Sequence, residues 1–403
     1  MTLTATTELT TARELARRVR DFVDTEIVPV ESALWAGGAH ACERLEELQR
    51  RARQQGLWGI GYPVELGGRG LLLTEYLLVA EQEGRSHFGP AVFGAESLVD
   101  AHMLHRFARP EVRERYLLPM VRGEMVPSFG MTEPGRTGSE PSGIRTRASQ
   151  DDDGTWTVTG HKWFISNAGK ASFMSVLARS EGLGKPANTG FSLIVVPTNA
   201  DGFRVVRTQP VLGQFTGQCE IELSDVRVRE HHVVGERGLG MTVVQERLGL
   251  ARTVRGMHWL GQAQRGFDLM CQRMRRRQMH GGRLSDKQLM HQLVTESYLE
   301  ISAARALLRR AAGRLESGQR HAVDLSVAKL AASRTAVNVL DRAIQVHGAE
   351  GLSDDTPLSS MYRAARATRI YDGADEVHVT TAAHRILKSY VDSDSYDFTD
   401  LTD

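Results

Sequence analysis

The chain has 403 residues, with 50 basic and 49 acidic side chains and a formal net charge of +1. Such a length exceeds what one hydrophobic core serves, so two or three core units are expected, and the charge balance offers no footprint for nucleic acid or an anionic membrane. No run of about 18 apolar residues provides a membrane span, and Cys42, Cys219 and Cys271 are too scattered for a disulfide framework or a zinc site.

The Thr-rich N-terminus has no apolar signal core, and a cytoplasmic location is expected. Residues 1–125 predict a helical domain. ELARRVRDFVDTEIVPVE and ERLEELQRRARQQG carry apolar residues at helical spacing, with Gly56 at the position of a C-terminal cap. GYPVELGGRG reads as a loop; TEYLLVAEQEG and PEVRERYLLPMVRG are further helical stretches, each closed by glycine.

Residues 126–236 change texture. TWTVTG, SFMSVLA, FSLIVVP, FRVVRT and CEIEL are short β-branched runs separated by Gly, Asp, Asn and Pro, which predicts an antiparallel sheet or small barrel. Residues 237–390 are helical again. Leu289, Leu293, Ile301, Leu307, Leu308 and Leu315 share helical spacing in one long segment, and Val327, Leu330, Val337, Leu340 and Ile344 do so in the next, the pattern of an up-down bundle. The acidic tail, 391–403, is too poor in apolar groups to pack and is expected to fray.

No G-x-G-x-x-G lies between a strand and a helix, and neither a P-loop nor a G-x-S-x-G elbow occurs, so a nucleotide cofactor must bind by another scheme. Three clusters stand out. Met131–Gly135 with Gly138, Ser139 and Glu140 suits a pyrophosphate or polar ring edge, and equally an ordinary turn between helix and strand. Lys162–Asn167 sets two aromatics beside Ser166, as a flat cofactor needs and as a strand filling a core also shows. In Tyr371–Glu376, Asp372 is a candidate general base or, alternatively, a helix N-cap.

FGMTEPGRTGSE, GHKWFISNAGKA, ELSDVRV with GERGLG, QVHGAEG and RIYDGADEVH resemble, in order and spacing, the signatures of the acyl-CoA dehydrogenase family. The resemblance spans Val23 to Leu387 and is closest to the branch with Asp rather than Glu as base. It implies an α+β, mostly helical fold: an N-terminal helical domain, a middle antiparallel β-barrel-like domain and a C-terminal four-helix bundle. It also implies FAD as cofactor, lying between the β domain, the bundle and a neighbouring subunit.

Carried over, Met131 and Thr132 face the flavin edge, Ser139 lies near the cofactor phosphates, Phe164 replaces a Trp against the ring, and Ser166 replaces a Thr. Arg277, in R-x-x-H-G, corresponds to an arginine that reaches FAD in another subunit, and so implies a dimer or tetramer; it also reads as one solvated charge among neighbours. Gln288 matches a cofactor contact, although Ser285–Gln288 is a capping-box pattern as well. Gln345, Gly348 and Glu376 match further FAD contacts, and Arg252 matches an arginine near the substrate cleft.

Asp372 takes the catalytic position. It would abstract the α-proton of an acyl-CoA thioester while a hydride passes from the β-carbon to flavin N5, and burial would bring its pKa towards working pH. An electron-transferring flavoprotein is the implied acceptor. An extra residue in TEPGRTGSE, with His280, Ala349 and Ala374, departs from the family pattern. Same-fold alternatives act on a carrier-protein-bound acyl group or as a monooxygenase; a non-catalytic scaffold is the reading of another class.

Overall fold

The computed structural model describes residues 2–138, 140–181, 189–214, 217–319, 322–391 and 394–398, and side chains from residue 11 onward. The longer helices are α1 (Thr2–Phe22), α2 (Gly38–Gln54), α3 (Leu73–Glu83), α4 (Leu98–Phe107), α5 (Gly240–Arg276), α6 (Gln288–Glu316), α7 (Ala322–His347), α8 (Leu358–Ala367) and α9 (Asp375–Ser389). Contacts group the chain into two compact units: residues 1–57, 71–92 and 249–403 form one, and residues 58–70 and 93–248 the other.

In the first unit α7 is the central helix and packs against α6, α8 and α9, while α1 packs on α3. Its apolar periodicity is realised as a buried stripe that includes Leu325, Ala332, Val339 and Leu340. Glycines let α5 approach closely. A Cβ on Gly261 would sit 2.1 Å from the Glu81 carbonyl oxygen at the end of α3, so no other residue fits there. Leu289, expected on the apolar face of α6, is exposed, whereas Ile301 and Leu308 carry its buried face. Within the acidic tail, the Phe398 carbonyl accepts a hydrogen bond from Arg310 Nη1 at 3.1 Å.

The second unit is built on a sheet with the order β6-β7-β3-β2-β4-β5-β8. Its strands are β1 (Pro127–Gly130), β2 (Arg147–Gln150), β3 (Trp156–Ser166), β4 (Phe173–Arg179), β5 (Phe191–Pro197), β6 (Phe203–Thr208), β7 (Gln218–Val228) and β8 (Val233–Val234). All five apolar runs named above are strands; the short β1, β2 and β8 carry too little pattern to be read in advance. Trp156 and Val158 of β3, Ile221 and Leu223 of β7, Met174 and Val176 of β4, and Ile194 of β5 all enter one buried cluster. Strands at both sides of the sheet order meet in that cluster, so the sheet curls on itself.

The pairing is antiparallel except on one edge of β4. There β1 and β2 both run parallel to β4, β1 at its start (Pro127 opposite Phe173) and β2 at its end (Arg147 opposite Arg179). The stretch between β1 and β2 therefore leaves the sheet as a loop, and it carries Met131–Glu140.

Candidate active site

In the β unit, the loop after β1 is anchored from below by an ion pair. Lys162 Nζ donates to Glu133 Oε1 (2.9 Å), the Met131 carbonyl (3.0 Å) and the Leu177 carbonyl (2.9 Å), which uses all three ammonium protons. Glu133 also accepts from the Arg145 and Thr146 backbone N–H groups and from the Thr146 hydroxyl. Burial pushes Lys162 down to about 8 against the pull of Glu133. Burial pushes Glu133 up, but Lys162 and these donors outweigh it and hold the carboxyl below its usual range.

Above this anchor the loop is tied to β3. Thr132 Oγ1 donates to the Trp163 carbonyl at 2.6 Å, and Trp163 N–H to the Thr132 carbonyl at 3.1 Å. The β3–β7 register breaks between Lys162 and Ile165, and within that bulge Phe164 takes φ +50°, a left-handed conformation. Gln209 Oε1 accepts the Phe164 N–H at 2.9 Å. The bulge turns Phe164 out of the core, leaving it 47 % exposed beside Trp163, their ring centroids 4.9 Å apart.

Ser166 is exposed at the end of the same strand and exchanges hydrogen bonds with the Gln218 amide, while its carbonyl accepts from Ser128 Oγ. The structure thus brings Met131, Thr132, Phe164 and Ser166 together as an aromatic surface rimmed by hydroxyls, which fits the flat ring of a flavin. Ser139 lies outside the described residues.

In the helical unit, Asp372 occupies a strained turn before α9, with φ +56° followed by Gly373 at +101°. Its carbonyl accepts from Arg252 Nε (2.9 Å) and His378 Nε2 (3.1 Å). A carbonyl only accepts, so the neutral His378 ring carries its proton on Nε2. The carboxylate accepts from Arg255 Nη1 at 2.9 and 3.0 Å, and the Asp372 side chain is 7 % exposed.

Burial, with Arg252 nearby, pushes His378 down to about 4. Burial also lowers Arg252, opposed by the charge of Asp372, yet arginine stays charged in such settings. Asp375, not Asp372, begins α9 and acts as the hub of the turn. Its buried carboxylate takes Ser333 Oγ (3.2 Å), Arg334 Nε (3.1 Å), Arg369 Nε (2.9 Å) and Lys329 Nζ (3.4 Å). Burial raises Asp375, and Arg369, Arg334 and Lys329 more than reverse it.

The other expected cofactor residues are exposed. Arg277 follows α5 at the start of a small hairpin, where its carbonyl accepts the Leu284 N–H. Gln288 is the first residue of α6. The capping box lies two residues earlier than the Ser285–Gln288 pattern suggests: Asp286 Oδ2 takes the Arg283 N–H at 2.8 Å and closes the turn. Gln345 lies in the last turn of α7, Gly348 turns the chain at φ +67°, and Glu376 sits in the first turn of α9.

Sequence reasoning passed over Arg255, His378, Gln209 and the Lys162–Glu133 pair. Arg255 stands three residues after Arg252, hence on the same helix face, a spacing that could have flagged it. Gln209, far along the chain, left no such signal.

Three family models match in sequence: the acyl-CoA dehydrogenase N-terminal domain over residues 10–124, middle domain over 128–226 and C-terminal domain over 238–387. The chain is 36% identical over 352 residues to the acyl-CoA dehydrogenase FadE2 of Mycobacterium tuberculosis, covering 85% of each. It is 30% identical to acyl-CoA dehydrogenase family member 11 of Rattus norvegicus across 93% of its own length, and spans 50% of that longer relative. Butyryl-CoA dehydrogenase of Megasphaera elsdenii superposes with a TM-score of 0.83 at 27% identity, over 94% of this chain and 98% of that one. No described helix is long and apolar enough to cross a membrane. With an aromatic, hydroxyl-rimmed surface in one unit and a buried carboxylate among cations in the other, the chain belongs to the acyl-CoA dehydrogenase family, FAD-dependent oxidoreductases of acyl-CoA thioesters.

Proposed function

We propose that the protein desaturates the α,β bond of an acyl-CoA, with Asp372 as the base that takes the α-proton. The observation that carries this reading is a side chain 7 % exposed, held by a cation, on a turn whose backbone is strained. Strain of this kind is kept where it positions a reacting group. An oxygenase has no need of a base at this position, so a retained and braced carboxylate favours dehydrogenation.

Met131, Thr132, Phe164 and Ser166 would hold the flavin ring; Ser139, Arg277, Gln288, Gln345, Gly348 and Glu376 are the proposed contacts to the rest of FAD. When bound, FAD supplies the two-electron acceptor for the β-hydrogen and its electron pair. Arg252, fixed on the Asp372 carbonyl, would border the acyl thioester. The reading also carries a dimer or tetramer through Arg277, an electron-transferring flavoprotein as acceptor, a cytoplasmic location, and segment boundaries near residues 125 and 236.

The test is the visible spectrum of the purified protein and its anaerobic bleaching by butyryl-, octanoyl- and palmitoyl-CoA. Asp372→Asn should retain FAD and its melting temperature while losing nearly all bleaching. Bleaching of that variant at the wild-type rate would overturn the assignment.

A further inference from the structure

Asp372 is the shortest carboxylate that can serve as a base, and with one side-chain torsion fewer than Glu its reach depends on backbone and partner. The backbone is secured without Arg255. Arg252 and His378 both bond the Asp372 carbonyl, and three residues later Asp375 ties the turn to Ser333, Arg334 and Lys329 of α7 and to Arg369. Arg255 does something separate: through Nη1 it bonds both oxygens of the carboxylate itself.

We propose that Arg255 is a positioning residue for the reaction, holding the Asp372 carboxylate against α5 and setting how readily it takes up the α-proton. The proposal rests on Asp372 being the base.

The geometry supports a tuning role over a merely structural one. The Asp372 side chain is 7 % exposed, so the charge facing it is weakly screened, whereas Arg255 is 35 % exposed and its stem is not part of the core. A carboxylate offers about four lone-pair sites, and the Nη1 bonds engage both of its oxygens. In the step, one carboxylate oxygen bonds the α-proton, and the α C–H electron pair becomes the second Cα–Cβ bond as the β-hydrogen leaves with its own pair, for which FAD would be the acceptor.

The charged and titratable groups around Asp372 are Arg252 and Arg255 from α5, Lys329 from α7, Tyr371 beside it, and Asp375 and His378 from α9. Of these, Arg255 is the group shown bonding the carboxylate oxygens. A cation at this distance favours the charged carboxylate and so lowers its proton affinity.

The experiment is the pH profile of anaerobic flavin bleaching by the best of the three acyl-CoAs, measured on the FAD-loaded enzyme for wild type, Arg255→Gln, Arg255→Met and Arg255→Lys. In the first two variants the acid limb should move to higher pH by about one unit or more, with bound flavin and melting temperature near wild type. Arg255→Lys should bring the limb back. An unmoved limb in Arg255→Gln and Arg255→Met overturns the proposal, whether or not melting temperature falls. Should Gln fail to fold, Met preserves the apolar stem and reads the same limb. Asp372→Asn, run in parallel, separates the two claims. If it still bleaches at the wild-type rate, the base assignment and this proposal fall together; if it is inactive while the Arg255 limb stays put, only the role of Arg255 is lost.

Discussion

Lys162 and Glu133 face each other at 2.9 Å with their side chains 0 % and 5 % exposed, joining the two sequence clusters expected to form the flavin wall. Met131 and Thr132, the proposed flavin-edge residues, immediately precede Glu133 on one segment, and Trp163 and Phe164 follow Lys162 on the other. The buried pair thus ties the loop after β1 to β3 from inside the β unit.

Removing one partner leaves the other as an uncompensated buried charge, at a cost of roughly 3–5 kcal/mol. Lys162→Met is expected to lower the denaturation midpoint and to lose FAD, because the Met131 carbonyl also loses its donor. Chemical denaturation combined with the flavin-to-protein ratio checks this. Full flavin content at an unchanged midpoint would show the pair to be dispensable.

His378 gives the protein an acid-side liability. Its folded-state value is about 4 against an ordinary 6.5, so between those values the unfolded chain binds a proton that the folded one does not. Stability from this site is therefore complete above about pH 6.5 and is lost as pH falls towards 4. In His378→Gln, which can still donate to the Asp372 carbonyl, the melting temperature should depend less on pH across that window. An identical slope in wild type and variant would refute the effect.

Element type was legible where pattern was strong, and the reasons for the failures are physical. The five apolar strands and the long bundle helices announce themselves by period. β1 and β2 do not, because each is only four residues long, too short for a period to stand out. Asp372, Arg252, Thr132 and Phe164 were visible through motif resemblance, while their supports were not. Glu133 and Lys162 sit inside the quoted motifs but look like surface charges until a fold buries them. Asp375 stands in D-G-A-D-E, three residues beyond Asp372, and only the packing of α9 on α7 shows which aspartate gathers Lys329, Arg334 and Arg369.

Gly373 tests the strain in the turn. It sits at φ +101°, and a Cβ there would lie 2.7 Å from His378 Nε2. Gly373→Ala should cost about 1–3 kcal/mol, and because His378 must shift, it should also slow flavin bleaching. Thermal melting and single-turnover bleaching measure the two effects. A variant with wild-type values in both would mean that the turn relaxes freely.

Phe164 distinguishes a residue kept for the cofactor from one kept for the fold. Its left-handed backbone costs about 1–2 kcal/mol relative to glycine, and at 47 % exposure its ring returns little packing energy. Phe164→Gly relieves the strain, and the extra freedom of glycine in the unfolded chain offsets about 0.5–1 kcal/mol of that gain. Stability should then stay within about 1 kcal/mol of wild type, whereas FAD should bind roughly tenfold more weakly for loss of a stacked ring worth about 0.5–1.5 kcal/mol beyond its area. Ile165→Ala, one residue on and 2 % exposed, should show the opposite pattern, losing about 2–5 kcal/mol of stability. Paired denaturation curves and FAD titrations read both quantities. If Phe164→Gly unfolds as readily as Ile165→Ala, the bulge serves the β unit's own packing, and the flavin wall must be sought elsewhere on it.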